Sequence, residues 1–334
     1  MTIETPAVPP VPPVPLPIAE AGARVQALRE QVAQAFIGQA EVCDQVLLAL
    51  LASGHVLIEG VPGLGKTLLV RALAASVGGS FGRVQFTPDL MPADVTGHAV
   101  YDPKAERFQI RRGPVFANLL LADEINRAPA KTQAALLESM QEGQVTIEGH
   151  RFALPAPFMV VATQNPIEQE GTYPLPEAQL DRFLIKVLIG YPSLEDECRM
   201  VAGVVGGKVA SDLDVSQVRP VLDQAGLLAL QQTVATIRMD GAVTDYAVRI
   251  VRATREWPGV IGGAGPRGAL ALARLARARA AVEARDFVTP DDVRAVALPA
   301  LRHRLLLAPE ALIERQQPDD VLTALLHKVP APRQ

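Results

Sequence analysis

The chain has 334 residues, 49% of them apolar, 20% charged and 4% aromatic, with a net charge of −4. That length leads to an expectation of about two domains with a core built from Leu, Val, Ile and Ala, and the acidic balance argues against a protein whose main task is gripping a nucleic-acid backbone. Cys43 and Cys198, the only cysteines, lie far apart, form neither a metal motif nor a disulfide framework, and point to a reducing compartment.

From the N-terminus, residues 1–17 are dense in proline, as in Pro9-Pro10-Val11-Pro12-Pro13. Residues 1–20 are expected to be a disordered tail of extended, unpaired backbone. The tail has no basic region followed by an apolar block, as a secretory signal requires. The longest apolar segment, Val46 to Ile58, is broken by Ser53, Gly54 and His55 and is too short to span a membrane. A cytoplasmic location is the expectation. Helical periodicity runs from Glu20 to Phe36, with Val25, Leu28, Val32 and Phe36 on one side. Ile37-Gly38-Gln39 interrupts it, and a second helix is expected from Ala40 to Leu51.

A strand, Val56-Leu57-Ile58, then leads into Gly60-Val61-Pro62-Gly63-Leu64-Gly65-Lys66-Thr67, the pattern G-x-x-x-x-G-K-T of a P-loop. A helix follows from about Lys66 to Val77 and stops at Gly78-Gly79. Gly60, Gly63 and Gly65 lack Cβ atoms, so the main chain can curl around an anion with its N–H groups inward. The helix adds its positive end. Lys66 brings a mobile charge to the outer phosphates, and Thr67 offers a hydroxyl to Mg²⁺.

Residues 83–87 read as a short strand, 88–97 as a proline-punctuated connection, and 99–101 with 108–110 as two strands around a turn. Leu119-Leu120-Leu121-Ala122 is a strand buried on both faces, ending at Asp123-Glu124, and a helix is expected from Ala130 to Glu142. Residues 144–148 and 151–154 form a hairpin about Gly149-His150, with His150 a polar turn residue. Two more strands are expected, 158–162 ending at Thr163-Gln164-Asn165-Pro166, and 183–189. After Tyr191-Pro192 only helical periodicity is visible, at about 195–204, 224–237, 243–256, 267–284 and 290–298, with weaker signals from Arg302. The fold class expected is α/β, a parallel central sheet flanked by helices over residues 21–192, followed by a smaller all-α domain over 193–334.

Open α/β sheets bind ligands beyond the carboxyl ends of their strands. There Asp123 would help hold Mg²⁺, through water or through Thr67. Glu124 would polarise the water that attacks the γ-phosphate. Asn165 can donate to that phosphate while accepting from the same water, which an ionised carboxylate cannot do.

Together these segments resemble the MoxR family of AAA+ ATPases. The likeness is carried by Gly60 to Thr67, by Asp123-Glu124-Ile125-Asn126-Arg127-Ala128-Pro129, and by Ala162-Thr163-Gln164-Asn165-Pro166. Leu180-Asp181-Arg182-Phe183 and Gly263-Ala264-Gly265-Pro266-Arg267 complete it. The resemblance implies a P-loop NTPase fold with a helical lid, ATP and Mg²⁺ as ligands, and ATP hydrolysis that drives chaperone-like remodelling or maturation of partner proteins. It implies a homo-oligomeric ring, usually hexameric, with nucleotide between neighbours. Residues 60–68, from Gly60 to Leu68, would surround the phosphates, and Ile37 and Gly38 would line the adenine. Arg182 would be the arginine finger, reaching the next subunit's nucleotide. Arg267 would be a second sensor on the lid, touching the phosphates of its own subunit. Gly265 and Gly268 depart from the family's usual Ser and Ala, which is expected to loosen that helix start. Residues 98–112 resemble a helix-2 insert and 144–154 a pre-sensor hairpin. A partner with a von Willebrand factor A-type domain is also implied.

Arg274, Arg277, Arg279 and Arg285 read as one solvated helix face rather than a nucleic-acid surface. Two further function classes remain open at this point. One is a nucleic-acid or chelatase-type motor subunit of the same architecture. The other is a nucleotide-switched scaffold with little turnover. Simple P-loop kinases are disfavoured by the helical lid with its Arg267.

Overall fold

The computed structural model describes residues 13–104, 106–166, 171–205 and 215–332. Helices Ile18–Ala35 (α1) and Ala40–Leu51 (α2) lead into strand Val56–Glu59 (β1), helix Lys66–Ser76 (α3) and strand Phe81–Gln85 (β2). Helix Pro92–Thr96 (α4) opens a hairpin of Gly97–Asp102 (β3) and Arg107–Arg112 (β4). Strand Leu119–Asp123 (β5), helix Ala130–Glu142 (α5) and a second hairpin of Gln144–Ile147 (β6) and His150–Ala153 (β7) follow. Next come strand Met159–Gln164 (β8), helix Glu177–Leu180 (α6) and strand Ile185–Leu188 (β9). Beyond them lie helices Leu194–Val205 (α7), Gln224–Thr236 (α8) and Gly241–Arg255 (α9), strand Val260–Gly262 (β10), and helices Pro266–Val282 (α10), Pro290–Ala295 (α11) and Ala297–Leu301 (α12). Strand Leu306–Leu307 (β11) and helices Pro309–Ile313 (α13) and Pro318–Lys328 (α14) end the chain's described elements.

The central sheet runs β2-β5-β8-β1-β9, each neighbouring pair parallel. Alternation along each strand assigns its two faces. Val56, Ile58, Leu119, Leu121, Met159, Val161, Ile185 and Val187 join one apolar cluster with α1, α2 and α3. Leu57, Leu120, Ala122, Val160 and Ala162 join a second with Leu136 and Leu137 of α5. Both faces are covered, which is why these strands read as unbroken apolar runs. The first cluster continues through Leu272, Leu275 and Leu301 into the C-terminal helices. Register then fixes function: Gln85 pairs with Asp123, Ala122 with Ala162, and Glu59 with both Gln164 and Leu188, so these strands end together at one edge.

Several expectations need correction. The expected tail extends to residue 20, but α1 begins at Ile18, with Pro17 at φ −55° supplying the entry. Leu16 is held too, its N–H donating to Thr233 Oγ1 at 2.7 Å; residues 1–12 lie outside the described ones. The connection at 88–97 contains α4, because Pro92 suits a first helical position and the Asp94 carboxylate accepts from the Met91 N–H (2.9 Å). The stretch 290–298 is two helices; Pro299 cannot continue the hydrogen-bond ladder of α11. Helices alone do not make up residues 193–334, since β10 and β11 pair antiparallel.

His55 pins the start of β1. Its Nδ1 accepts from the Val160 N–H and its Nε2 lies against the Met140 carbonyl, both at 3.0 Å. The Val160 donor requires an unprotonated Nδ1, and burial pulls the imidazole pKa down to about 4. A depressed histidine contributes stability that is present above its ordinary pKa and is lost as pH falls towards the folded value. Between about pH 7.5 and about pH 5, wild type should therefore lose about 2 kcal/mol more than His55→Gln. Urea unfolding of both proteins at the two pH values checks this, and equal losses would remove His55 as the titrating group.

Candidate functional site

Gly60 follows β1, and its N–H donates to the Gln164 carbonyl of β8 at 3.2 Å. A Cβ there would stand 2.6 Å from the Ile189 carbonyl oxygen, so glycine alone lets the chain leave the sheet at this point. Val61, Pro62 and Leu64 complete a loop whose turns are Gly63 at φ +85° and Gly65 at φ +77°. Those angles are left-handed and cost a side-chain-bearing residue about 1–2 kcal/mol each. The first bond of α3 runs from the Leu69 N–H to the Gly65 carbonyl (3.0 Å). The N–H groups of Lys66, Thr67 and Leu68 therefore stand outside the helical ladder, at the positive end of the helix. Lys66 Nζ donates to the Gly60 carbonyl at 2.6 Å, across the mouth of the loop. Burial lowers its pKa, while Asp123 and Glu124 push it back up.

The two acids stand at the end of β5. Thr163, fully buried in β8, donates its hydroxyl to Asp123 Oδ1 (2.7 Å) and accepts from the Glu124 N–H (2.8 Å). One hydroxyl thus sets the Asp123 carboxylate and the Glu124 main chain. Asp123 Oδ2 accepts from Arg83 at 2.8 Å. Glu124 is bent at φ +55°, ψ +51°, an uncommon conformation for a non-glycine residue that directs its side chain off the strand line. Gln85 Nε2 (2.9 Å) and Arg127 Nη1 (3.1 Å) both donate to Glu124 Oε2. Asn165 follows β8 directly and is buried. Lys66, Thr67, Asp123, Glu124 and Asn165 are thus gathered where β1, β5 and β8 end. Sequence reasoning gave no role to Thr163 or Arg127, although both lie inside the motifs, and missed Gln85 and Arg83, whose signal lies in strand register.

This edge suits a magnesium nucleotide. A glycine turn directs main-chain donors inward, a lysine stands at its mouth, and Thr67 and Asp123 offer oxygen to a hard cation, which usually keeps several waters. Gly38, at φ +82°, lies so near α7 that a Cβ would meet the Asp196 Cβ at 2.5 Å. Gln39 Nε2 donates to the Gly190 carbonyl at 2.7 Å. Ile37-Gly38 is thereby clamped between the C-terminal helices and the strand ends.

Arg182 and Arg267 are elsewhere. They line a cavity of about 300 Å³ with Ser53, Gly54, His55 and Asp181. These residues precede β1 and β9, so the cavity opens at the amino edge of the sheet, about 13 Å of strand from the P-loop. Arg267 Nη1 is 3.7 Å from Asp181 Oδ2. Arg267 does not touch the phosphate loop of its own subunit, contrary to expectation: α10 starts beside the Arg182 segment. As expected, Gly265 gives α10 no side-chain cap bond. A Cβ at Gly268 would meet Leu301 Cδ2 at 3.0 Å, so this glycine lets α10 pack closely on α12.

Among the described residues, no helix is long and apolar enough to cross a membrane. Residues 55–185 match the model of the ATPase family associated with various cellular activities (AAA), and residues 252–325 match the AAA lid domain. The chaperone MoxR1 of Mycobacterium tuberculosis is 46% identical over 91% of this chain and 81% of its own length. An uncharacterised protein of Bacillus subtilis, YeaC, is 46% identical over 91% of this chain and 94% of its own. A crystal structure of a presumed ATPase from Cytophaga hutchinsonii superposes with a TM-score of 0.87 at 38% identity, covering 95% of this chain and 97% of that one. With a P-loop, paired acids and a buried asparagine at one edge of a five-stranded parallel sheet, and relatives of this similarity along nearly its whole length, the chain belongs to the MoxR family of AAA+ ATPases.

Proposed function

We propose that the chain hydrolyses ATP to ADP and phosphate within a homo-oligomeric ring, hexameric on the family's pattern, and that the work done is chaperone-like remodelling of partner proteins. One observation carries this reading. The groups suited to holding and cleaving a nucleotide stand at the carboxyl edge of the sheet, and the two arginines suited to completing the site stand at the amino edge. Neither arginine serves its own subunit. Head-to-tail packing of copies brings one edge against the other, and repetition of such a contact forms a ring when the rotation between copies closes.

In that arrangement the main chain of 60–68 and Lys66 hold the phosphates. Thr67 and Asp123 would hold Mg²⁺. When bound, this cation offsets charge on the phosphate oxygens. Glu124 accepts a hydrogen bond from the attacking water and draws off its proton, while the Asn165 amide orients both water and γ-phosphate. Arg182 and Arg267 of the neighbouring copy offset charge that develops in the transition state. Ile37 and Gly38 favour a purine through main-chain and apolar contact. The combination of Glu124 with Asn165 speaks against a scaffold that binds nucleotide without turnover. A partner with a von Willebrand factor A-type domain and a cytoplasmic setting rest on the family likeness. Phosphate release from ATP should be steady with Mg²⁺ and fall to background when EDTA removes it; release unaffected by EDTA, or absent with Mg²⁺, contradicts the reading.

A further inference from the structure

The segment that carries Arg182 is held by a turn of the C-terminal domain. Arg302, His303 and Arg304 form a single 3₁₀ turn between α12 and β11. The Arg304 side chain is 3% exposed, and its guanidinium reaches both residues that flank Arg182. Nε donates to Asp181 Oδ1 at 2.8 Å, and Nη2 donates to the Asp181 carbonyl at 3.3 Å and to the Phe183 carbonyl at 2.8 Å. His303 Nε2 lies 3.1 Å from that same Phe183 oxygen. Arg302 Nη1 donates to the Lys186 carbonyl at 3.2 Å, while its Nη2 pairs with Asp319 at 2.8 Å. The main-chain carbonyls of both residues that flank Arg182, Asp181 and Phe183, are therefore bonded to the C-terminal domain. The buried Arg182 Nε, by contrast, has no hydrogen-bond partner among the described residues. The main chain of this arginine is fixed while part of its guanidinium is left to be satisfied.

We propose that Arg304 is a positioning residue for Arg182, clamping the peptides on either side of it so that its side chain is presented to the nucleotide of an adjacent copy. A second consequence follows from the same bonds. The clamp belongs to the C-terminal domain and its grip is on the sheet domain, so a shift of one relative to the other moves Arg182. A subunit would thus pass the state of its own C-terminal domain to its neighbour's active site. The clamp needs a planar fork with donors in several directions, which lysine cannot supply. This inference rests on Arg182 acting on a neighbour, and the experiment separates the two.

Arg304→Lys is expected to bind Mg·ATP with a dissociation constant within about twofold of wild type and to lower kcat about 10- to 100-fold, the scale of a misplaced catalytic group. A structural defect alone could mimic that loss, so mixed rings decide. Glu124→Gln subunits are inactive at their own sites but carry an intact Arg182 and Arg304. Mixed with Arg304→Lys subunits, they should restore turnover well above that of either variant alone. Arg182→Ala mixed with Glu124→Gln is the control and should regain activity in the same way. If the control regains activity and Arg304→Lys does not, Arg304 acts within its own subunit and the proposal fails. If the control itself regains nothing, the reading of Arg182 is at fault. Wild-type kcat in Arg304→Lys, or ATP affinity weakened more than about tenfold, also overturns the proposal. Should Arg304→Lys not fold, Asp181→Asn keeps the carbonyl bonds, loses the charge pair, and is carried through the same mixtures with the same expected outcomes.

Discussion

Glu124→Gln should lower kcat for ATP hydrolysis about 10²- to 10⁴-fold while Mg·ATP still binds. The size follows from the role. The carboxylate stands at the carboxyl edge, turned off the strand by a left-handed backbone. An amide has nearly the same shape but cannot draw a proton from water at neutral pH. The neighbours say why binding should survive. Gln85 and Arg127 hold the outer carboxylate oxygen, and Thr163 holds the main chain, so the exchange leaves the loop of 60–68 untouched. Phosphate release measured at saturating ATP is the check. Equal turnover in the two proteins would mean that another group activates the water.

Arg182→Ala should lower kcat about 10³-fold, the scale of a trans-acting arginine on a transferring phosphoryl group, with little change in nucleotide affinity. The split between the two effects comes from geometry. Arg182 precedes β9, at the edge where β1 begins, whereas the phosphate loop follows the other end of β1. On the proposed reading it contributes to a nucleotide held by another copy. A lysine at 182 is not expected to restore activity, since a point charge does not reproduce a planar set of donors. Full activity in Arg182→Ala would remove the in-trans role and, with it, the need for a ring.

What could be seen in the sequence was what local chemistry specifies. Gly63 and Gly65 are glycines because the loop turns through left-handed angles, and the spacing G-x-x-x-x-G-K-T displays that need directly. Leu119 to Ala122 is uniformly apolar because both faces of β5 are covered. What could not be seen was register. Thr163 organises both acids only because β8 lies beside β5 in one particular alignment. Gln85 reaches Glu124 only because β2 ends level with β5. Arg267 was misplaced for a related reason. Its motif marks a helix start, but which end of the sheet that start meets depends on how α10 packs, and that packing sets Arg267 3.7 Å from Asp181. The turn at 302–304 carries no motif at all, and its partners around β9 are more than a hundred residues earlier in the chain.

The proposed hydrolysis requires that the curled main chain after β1 grip a nucleoside triphosphate. Isothermal titration of Mg·ATP into folded Glu124→Gln tests it most directly, because turnover is suppressed while the cradle is intact. Saturable uptake of no more than one nucleotide per chain is predicted, abolished when Lys66 is also replaced by alanine. A well-folded protein that takes up no Mg·ATP, or takes it up equally without Lys66, would contradict it.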